Sequence, residues 1–116
     1  AHNDSGAEAL ARYLSGHGLP AHVICMMKDK KDALTFFKNM QPVLHSATAV
    51  DVDVHVKMLA SEELCDYMTR AGIPAVFRYA NVDAAVRSLV STFKTPQRMI
   101  IAGSLYLAGY VLRDNS

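Results

Sequence analysis

"AHVICMMKDKKDALTFFKNM", residues 21–40, sets a short and almost wholly apolar run directly ahead of a segment in which Ala33, Leu34, Phe36, Phe37 and Met40 recur at helical spacing. A strand apolar on both sides belongs inside a sheet covered on both faces, and a helix with one apolar stripe is what covers it. Pro42 ends the helix, because a proline has no N–H for the next helical bond. The stretch therefore reads as strand then helix, and the question is whether the unit repeats.

It does. Upstream, Ala7, Ala9, Leu10, Tyr13 and Leu14 keep helical spacing, with Asp4 or Ser5 as a cap and Gly16 and Gly18 as a stop. Downstream, "TAVDVDVHV" (48–56) alternates Val50, Val52, Val54 and Val56 with Asp51, Asp53 and His55, which predicts a strand with one wet face. "ASEELCDYMTRAG" (60–72) predicts a helix capped around Ser61 and closed by Gly72 and Pro74. "AVFRYA" (75–80) reads as a strand, "VDAAVRSLVSTF" as a helix entered at Asn81, "RMIIAG" (98–103) as a buried strand and "SLYLAGYVLRD" (104–114) as a last helix. Strands and helices that alternate in this way imply an α/β fold, a Rossmann-like, doubly wound, mostly parallel sheet with helices on both faces. No internal repeat or linker interrupts the pattern.

Length and composition agree with one soluble globular domain: 116 residues, 51% hydrophobic and 20% charged. Twelve basic and eleven acidic residues are mixed along the chain, so no basic stripe points to nucleic acid or an anionic membrane. The longest apolar stretch, "MIIAGSLYLAGYVL", falls short of the roughly 20 residues of a bilayer span. No charged and then apolar leader opens the chain, so the expected compartment is cytoplasmic. Cys25 and Cys65 lack the Cys-x-x-Cys spacing and are expected as reduced, buried thiols.

In such a fold ligands sit beyond the carboxyl ends of the strands, so the loops beginning at Met27, His55, Tyr79 and Gly103 are expected to share one functional edge. Three polar places belong to it. "CMMKDKKD" puts Lys28, Asp29, Lys30 and Lys31 where a strand hands over to a helix, and a lysine there can hold a carboxylate or phosphate beside helix amides that favour the same sign. "AGSLYLAG" ends a strand at Gly103 and offers the Ser104 hydroxyl at the start of the next element. The opening Ala1-His2-Asn3 brings an imidazole and an amide ahead of the first helix.

The same residue types also have plainer readings: a solvated charge run, a plain cap, a frayed terminus. No metal site is expected. Asp51, Asp53 and His55 share a strand face but stand about 7 Å apart along it, too far to share one ion comfortably. His17, His22 and His45 lie near element ends and are expected at the surface. A Gly-rich phosphate loop ending in Lys-Ser or Lys-Thr is absent, as is a Gly-x-Ser-x-Gly elbow.

Taken together, "AHN" before a helix, "MMKDKKD" after the first strand and "GSLYLAGYV" near the end resemble the C-terminal domain of folylpolyglutamate synthase and dihydrofolate synthase, in the Mur ligase superfamily. The resemblance covers essentially the whole chain. It implies an ATP-dependent ligase that phosphorylates the carboxylate of dihydropteroate or a reduced folate, after which the amine of L-glutamate attacks the acyl phosphate. It also implies partners: an N-terminal domain of the same enzyme that binds most of the ATP and magnesium.

Carried over residue by residue, His2 and Asn3 match the Asp-Gly-Ala-His-Asn motif in the nucleotide and substrate cleft. Lys30 matches a lysine that pairs with a glutamate carboxylate, and Ser104 a serine that binds the glutamate. Three departures stand out: Asp4 replaces a proline, Lys31 replaces an aspartate, and Lys57-Met58 stands where the family has Pro-Arg. The Asp-Gly and the strand that precede Ala-His-Asn in the family would lie upstream of residue 1, so the expectation is a C-terminal piece without synthase activity of its own. The alternatives are the C-terminal domain of another Mur-type ligase and a non-catalytic α/β nucleotide-binding module.

Overall fold

The computed structural model describes residue 12, residues 20–51 and 57–103, and the backbone of 107–112. Five strands form one sheet in the order β3-β2-β1-β4-β5. The strands are β1 (Ala21–Met26), β2 (Leu44–Val50), β3 (Val76–Tyr79), β4 (Gln97–Gly103) and β5 (Leu107–Leu112). β1 pairs parallel with both β2 and β4, β2 pairs parallel with β3, and β5 runs antiparallel to β4. The α/β fold with a mostly parallel sheet is therefore as the alternating pattern predicts.

Three helices connect the parallel strands: α1 (Lys30–Met40), α2 (Ser61–Arg70) and α3 (Val82–Val90). Each begins where its local chemistry says it should, with one exception. The Asp29 carboxylate accepts from the Asp32 N–H (2.9 Å) and the Asn81 amide oxygen from the Ala84 N–H (2.8 Å), so α1 and α3 are capped in sequence. Helix α2 differs from expectation: Ala60 is its N-cap and Ser61 its first helical residue, and the cap is supplied from a distance by Asp51. Its other end follows the local signal. Gly72, at φ +86°, lies just past the C-cap, with Gly72 N–H bonded to Thr69 O and Ile73 N–H to Met68 O, which satisfies two of the last carbonyls.

The sheet splits the core in two. Val23, Cys25, Ala47, Ala49, Ile100 and Ala102 face α1 and α2, where Phe36, Phe37, Met40, Leu64 and Met68 fill the space. Ile24, Met26, Val50 and Met99 face α3 with Ala85, Leu89 and Phe93. Helices thus cover both faces. Burial of each large side chain such as Phe37 contributes about 2 kcal/mol, and truncating one to alanine would cost more because a cavity is left.

Two expected boundaries move. The second strand runs from Leu44 to Val50 and ends before Asp51, while residues 52–56 lie outside the described residues. "LHSATAV" is buried on both sides because β2 lies between β1 and β3, and its small side chains hide that role from a search for alternation. Residues 107–112 form a strand where a helix was expected. A short apolar run is ambiguous by period alone, and pairing with β4 together with Gly109 in mid-run favours the extended form.

Candidate functional site

Because β1 to β4 are all parallel, their carboxyl ends define one edge, and α1, α2 and α3 all begin there. After β1 the chain moves outward to β2 and β3, then returns across β1 to lay down β4 on its other side. The order reverses between β1 and β4, so the crevice between the exits of those two strands is the topological switch point where α/β sheets take ligands. Met27–Lys30 and Gly103 bound it. Met26 and Gly103 are partners across the β1–β4 ladder, and a Cβ on Gly103 would come to 3.1 Å from both the Met26 carbonyl oxygen and its sulfur. A side chain there would press on β1, so glycine suits the close approach of the two strands.

Lys30 opens α1 and its side chain is exposed, as are Lys28, Asp29 and Lys31. A cation in the first turn opposes the helix dipole, so Lys30 gains nothing from its own helix and remains available to an anion that the same amides attract. Of the other expected site residues, His2, Asn3 and Ser104 lie outside the described residues, as do Asp53 and His55.

A feature that spacing did not indicate is the double tie of the segment after β2. Both Asp51 carboxylate oxygens are used, one accepting from the Ser61 N–H (3.0 Å) and the other from the Ser61 hydroxyl (2.8 Å). These two bonds, with Arg78 nearby, hold the Asp51 carboxyl below the usual carboxylate range. Further along, the Leu59 N–H donates to the Met27 carbonyl (2.9 Å), which brings Lys57 and Met58 to the exit of β1. No local signal indicated this, since Ser61 reads as its own cap and Asp51 as one of the alternating residues of a longer strand.

The opposite edge is built differently. His22, expected at the surface, is half-buried: its Nδ1 lies 2.7 Å from the Ser46 hydroxyl and its Nε2 2.6 Å from the Gln97 side-chain oxygen. His45 is exposed as expected, and His17 lies outside the described residues. Cys25 is buried and Cys65 partly so, both as free thiols. Burial pushes both up from the ordinary thiol value, so neither is a ready nucleophile. A shallow groove lined by Leu34, Lys38, Tyr67 and Arg70 lies by the last turns of α1 and α2, away from the crevice.

Chemically, the crevice edge can bind and orient an anion through lysine and helix amides. Among the described residues no group of His, Cys, Asp and Glu could hold a metal ion. No described helix is long and apolar enough to cross a membrane.

The chain matches no protein-family model and no curated protein. Among solved structures it is similar to a Mycobacterium tuberculosis folylpolyglutamate synthase complexed with ADP, at 23% identity and TM-score 0.71, over 90% of this chain and 25% of that one. It is also similar to Mycobacterium tuberculosis folylpolyglutamate synthase described with ADP and AMPPCP, at 20% identity and TM-score 0.67, with the same coverage. At this level of identity the likeness establishes the shared fold, and the chain spans only 25% of the length of those proteins.

Proposed function

We propose that the chain acts as the C-terminal, glutamate-binding domain of an ATP-dependent ligase of the folylpolyglutamate synthase and dihydrofolate synthase kind. The observation that supports this most is that "MMKDKKD" and "GSLYL", two of the stretches carrying the family resemblance, leave β1 and β4, the two strands that bound the switch-point crevice. A fold shared with folylpolyglutamate synthase over 90% of the chain supports the same reading. In this proposal Lys30 pairs with a carboxylate of L-glutamate and Ser104 donates to it. His2 and Asn3 belong to the cleft where ATP and the folate or dihydropteroate acceptor meet.

The described residues suit anion binding and include no carboxylate cluster for magnesium. By the family resemblance, activation of the acceptor by ATP and magnesium is assigned to an N-terminal domain, and this chain's part is to hold the incoming glutamate. A neutral amine must reach the acyl phosphate, and fixing the carboxylates of glutamate orients it without touching the amine. One charge-assisted contact contributes about 1.5–3 kcal/mol, or roughly a 10- to 100-fold change in affinity.

The test is ADP release with ATP, glutamate and either dihydropteroate or tetrahydrofolate, comparing the 116-residue chain with a longer protein that includes the upstream coding sequence. The longer protein should ligate and the chain alone should not. Lys30→Ala and Ser104→Ala should raise KM for glutamate about 10- to 100-fold while leaving KM for ATP nearly unchanged. A longer protein inert with every acceptor, or ligation by the chain alone, contradicts the proposal.

A further inference from the structure

His22 joins three strands at the edge opposite the crevice. Gln97, the first residue of β4, turns its amide nitrogen toward the Thr95 hydroxyl (3.4 Å) and its oxygen toward His22 Nε2 (2.6 Å). An amide oxygen can only accept, so Nε2 must carry a proton. In a neutral ring Nδ1 is then bare, and it accepts from the Ser46 hydroxyl at 2.7 Å. The β1–β2 register shifts between Ala21 and His22, so that Leu44 stands opposite Ala21 but Ser46 opposite His22. Without that one-residue skip His45, not Ser46, would face the ring.

Beyond its two hydrogen-bond partners the ring packs on the apolar side of the sheet. Phe93 lies against it with ring centroids 4.9 Å apart, and on its face of the sheet Met99 follows from β4 and Leu89 and Ala85 from α3. The charged residues of α3, Asp83 and Arg87, are exposed and paired with each other at 2.9 Å. On β4, Arg98 alternates to the other face, and Lys94 is exposed in the loop before it. On β2 the one titratable neighbour is His45, its ring centroid 6.1 Å away.

We propose that His22 is an acid-sensitive latch. As the neutral Nε2–H tautomer it ties the amino ends of β2, β1 and β4 together, and a proton added at Nδ1 releases that edge. With Nδ1 protonated, the Ser46 hydroxyl must turn from donor to acceptor, which strands its own hydrogen in a buried position, since Ser46 is 3% exposed. The new charge is half-buried and faces a second imidazole. Burial already lowers the His22 pKa below its ordinary value, the direction a neutral latch requires. The sign follows by linkage. Opening of the edge returns His22 to its ordinary value near 6.5, so protection is full above about pH 6.5 and is lost as pH falls toward the lower closed-state value.

The experiment is amide hydrogen exchange of the 116-residue chain between pH 7.5 and 5, corrected for intrinsic exchange, with imidazole nitrogen shifts read in parallel. Expected are a protonated Nε2 and bare Nδ1 at pH 7.5. Protection at 22–24, 46–48 and 98–100 should fall by up to about tenfold per pH unit below 6.5, the limit for one proton. Gln97→Glu, which gives Nε2–H a charged acceptor and stabilises the imidazolium, should abolish that fall, and His22→Gln should make the profile flat. A proton on Nδ1 at pH 7.5, a flat wild-type profile, or an unchanged slope in Gln97→Glu would overturn the latch. The Gln97→Glu comparison decides the matter even if His22→Gln does not fold.

Discussion

Replacing Asp51 with alanine removes the cap of α2 without touching α2 itself. Asp51 is exposed, so its loss opens no cavity and any cost must come from the two bonds to Ser61. Ser61 is 3% exposed beneath the Asp51 carboxylate, so in Asp51→Ala its hydroxyl and N–H lose their acceptor and regain only part of that bonding from water. Loss of a cap costs about 1 kcal/mol, and a buried donor left unsatisfied about 1–3 kcal/mol. The exposed approach of Arg78 adds little. A total near 2 kcal/mol follows, and for a chain of this size that lowers Tm by roughly 8 °C.

Ser61→Ala should cost less, about 1 kcal/mol, since the Asp51 carboxylate regains water. The two changes should fall short of additivity by about 1 kcal/mol in a double-mutant cycle. Acidity supplies an independent check. The Asp51 pKa is lowered in the folded chain, so its contribution is present above about pH 4 and lost as pH falls through the folded value. Urea unfolding of the four proteins at pH 7 and pH 3 measures both. The reasoning fails if Asp51→Ala lies within about 0.3 kcal/mol of wild type at pH 7, or if the gap is the same at both pH values.

Three further outcomes follow from the packing. Gly103→Ala should destabilise by about 1–2 kcal/mol in thermal unfolding, because its Cβ meets a backbone carbonyl that cannot swing away as a side-chain end could. Gly72→Ala should cost a similar 1–2 kcal/mol for a different reason, since its Cβ has room, 3.9 Å from Gln41, but its φ of +86° does not suit an L side chain. Thiol labelling under native conditions should modify Cys65 slowly and Cys25 only at the rate of unfolding, because Cys25 is fully buried, and denaturant should make both react at once.

Features that were legible in the sequence are those with a local cause. Asn81 announced α3, Gly72 and Pro74 closed α2, and the apolar run before "KDKKDALTFFKNM" announced β1 and its covering helix. What was misjudged has partners far along the chain. His22 meets Gln97 seventy-five positions away, and Asp51 meets Ser61 ten positions on, beyond the alternating run. No propensity encodes such pairs, so a histidine near a strand end looked like a surface residue and a serine looked like its own cap. The alternating "VDVDVHV" drew attention from "LHSATAV", whose Ala47 and Ala49 are small because β2 is packed on both faces.

The candidate site was legible as composition and not as geometry, and the sheet order explains the difference. The lysines after β1 and Gly103 at the end of β4 become meaningful together only once the chain returns across β1 to form β4, since only that order sets the exits of the two strands side by side. The amino edge shows the complementary economy. There β1 is held by side chains of β2 and β4 and by the Arg98 N–H donating to the Pro20 carbonyl at 2.7 Å. Lys30 is exposed at the other edge, away from these ties, so in the proposed role a charge change at Lys30 should alter glutamate affinity far more than stability. Changes at His22 or Ser46 should do the reverse.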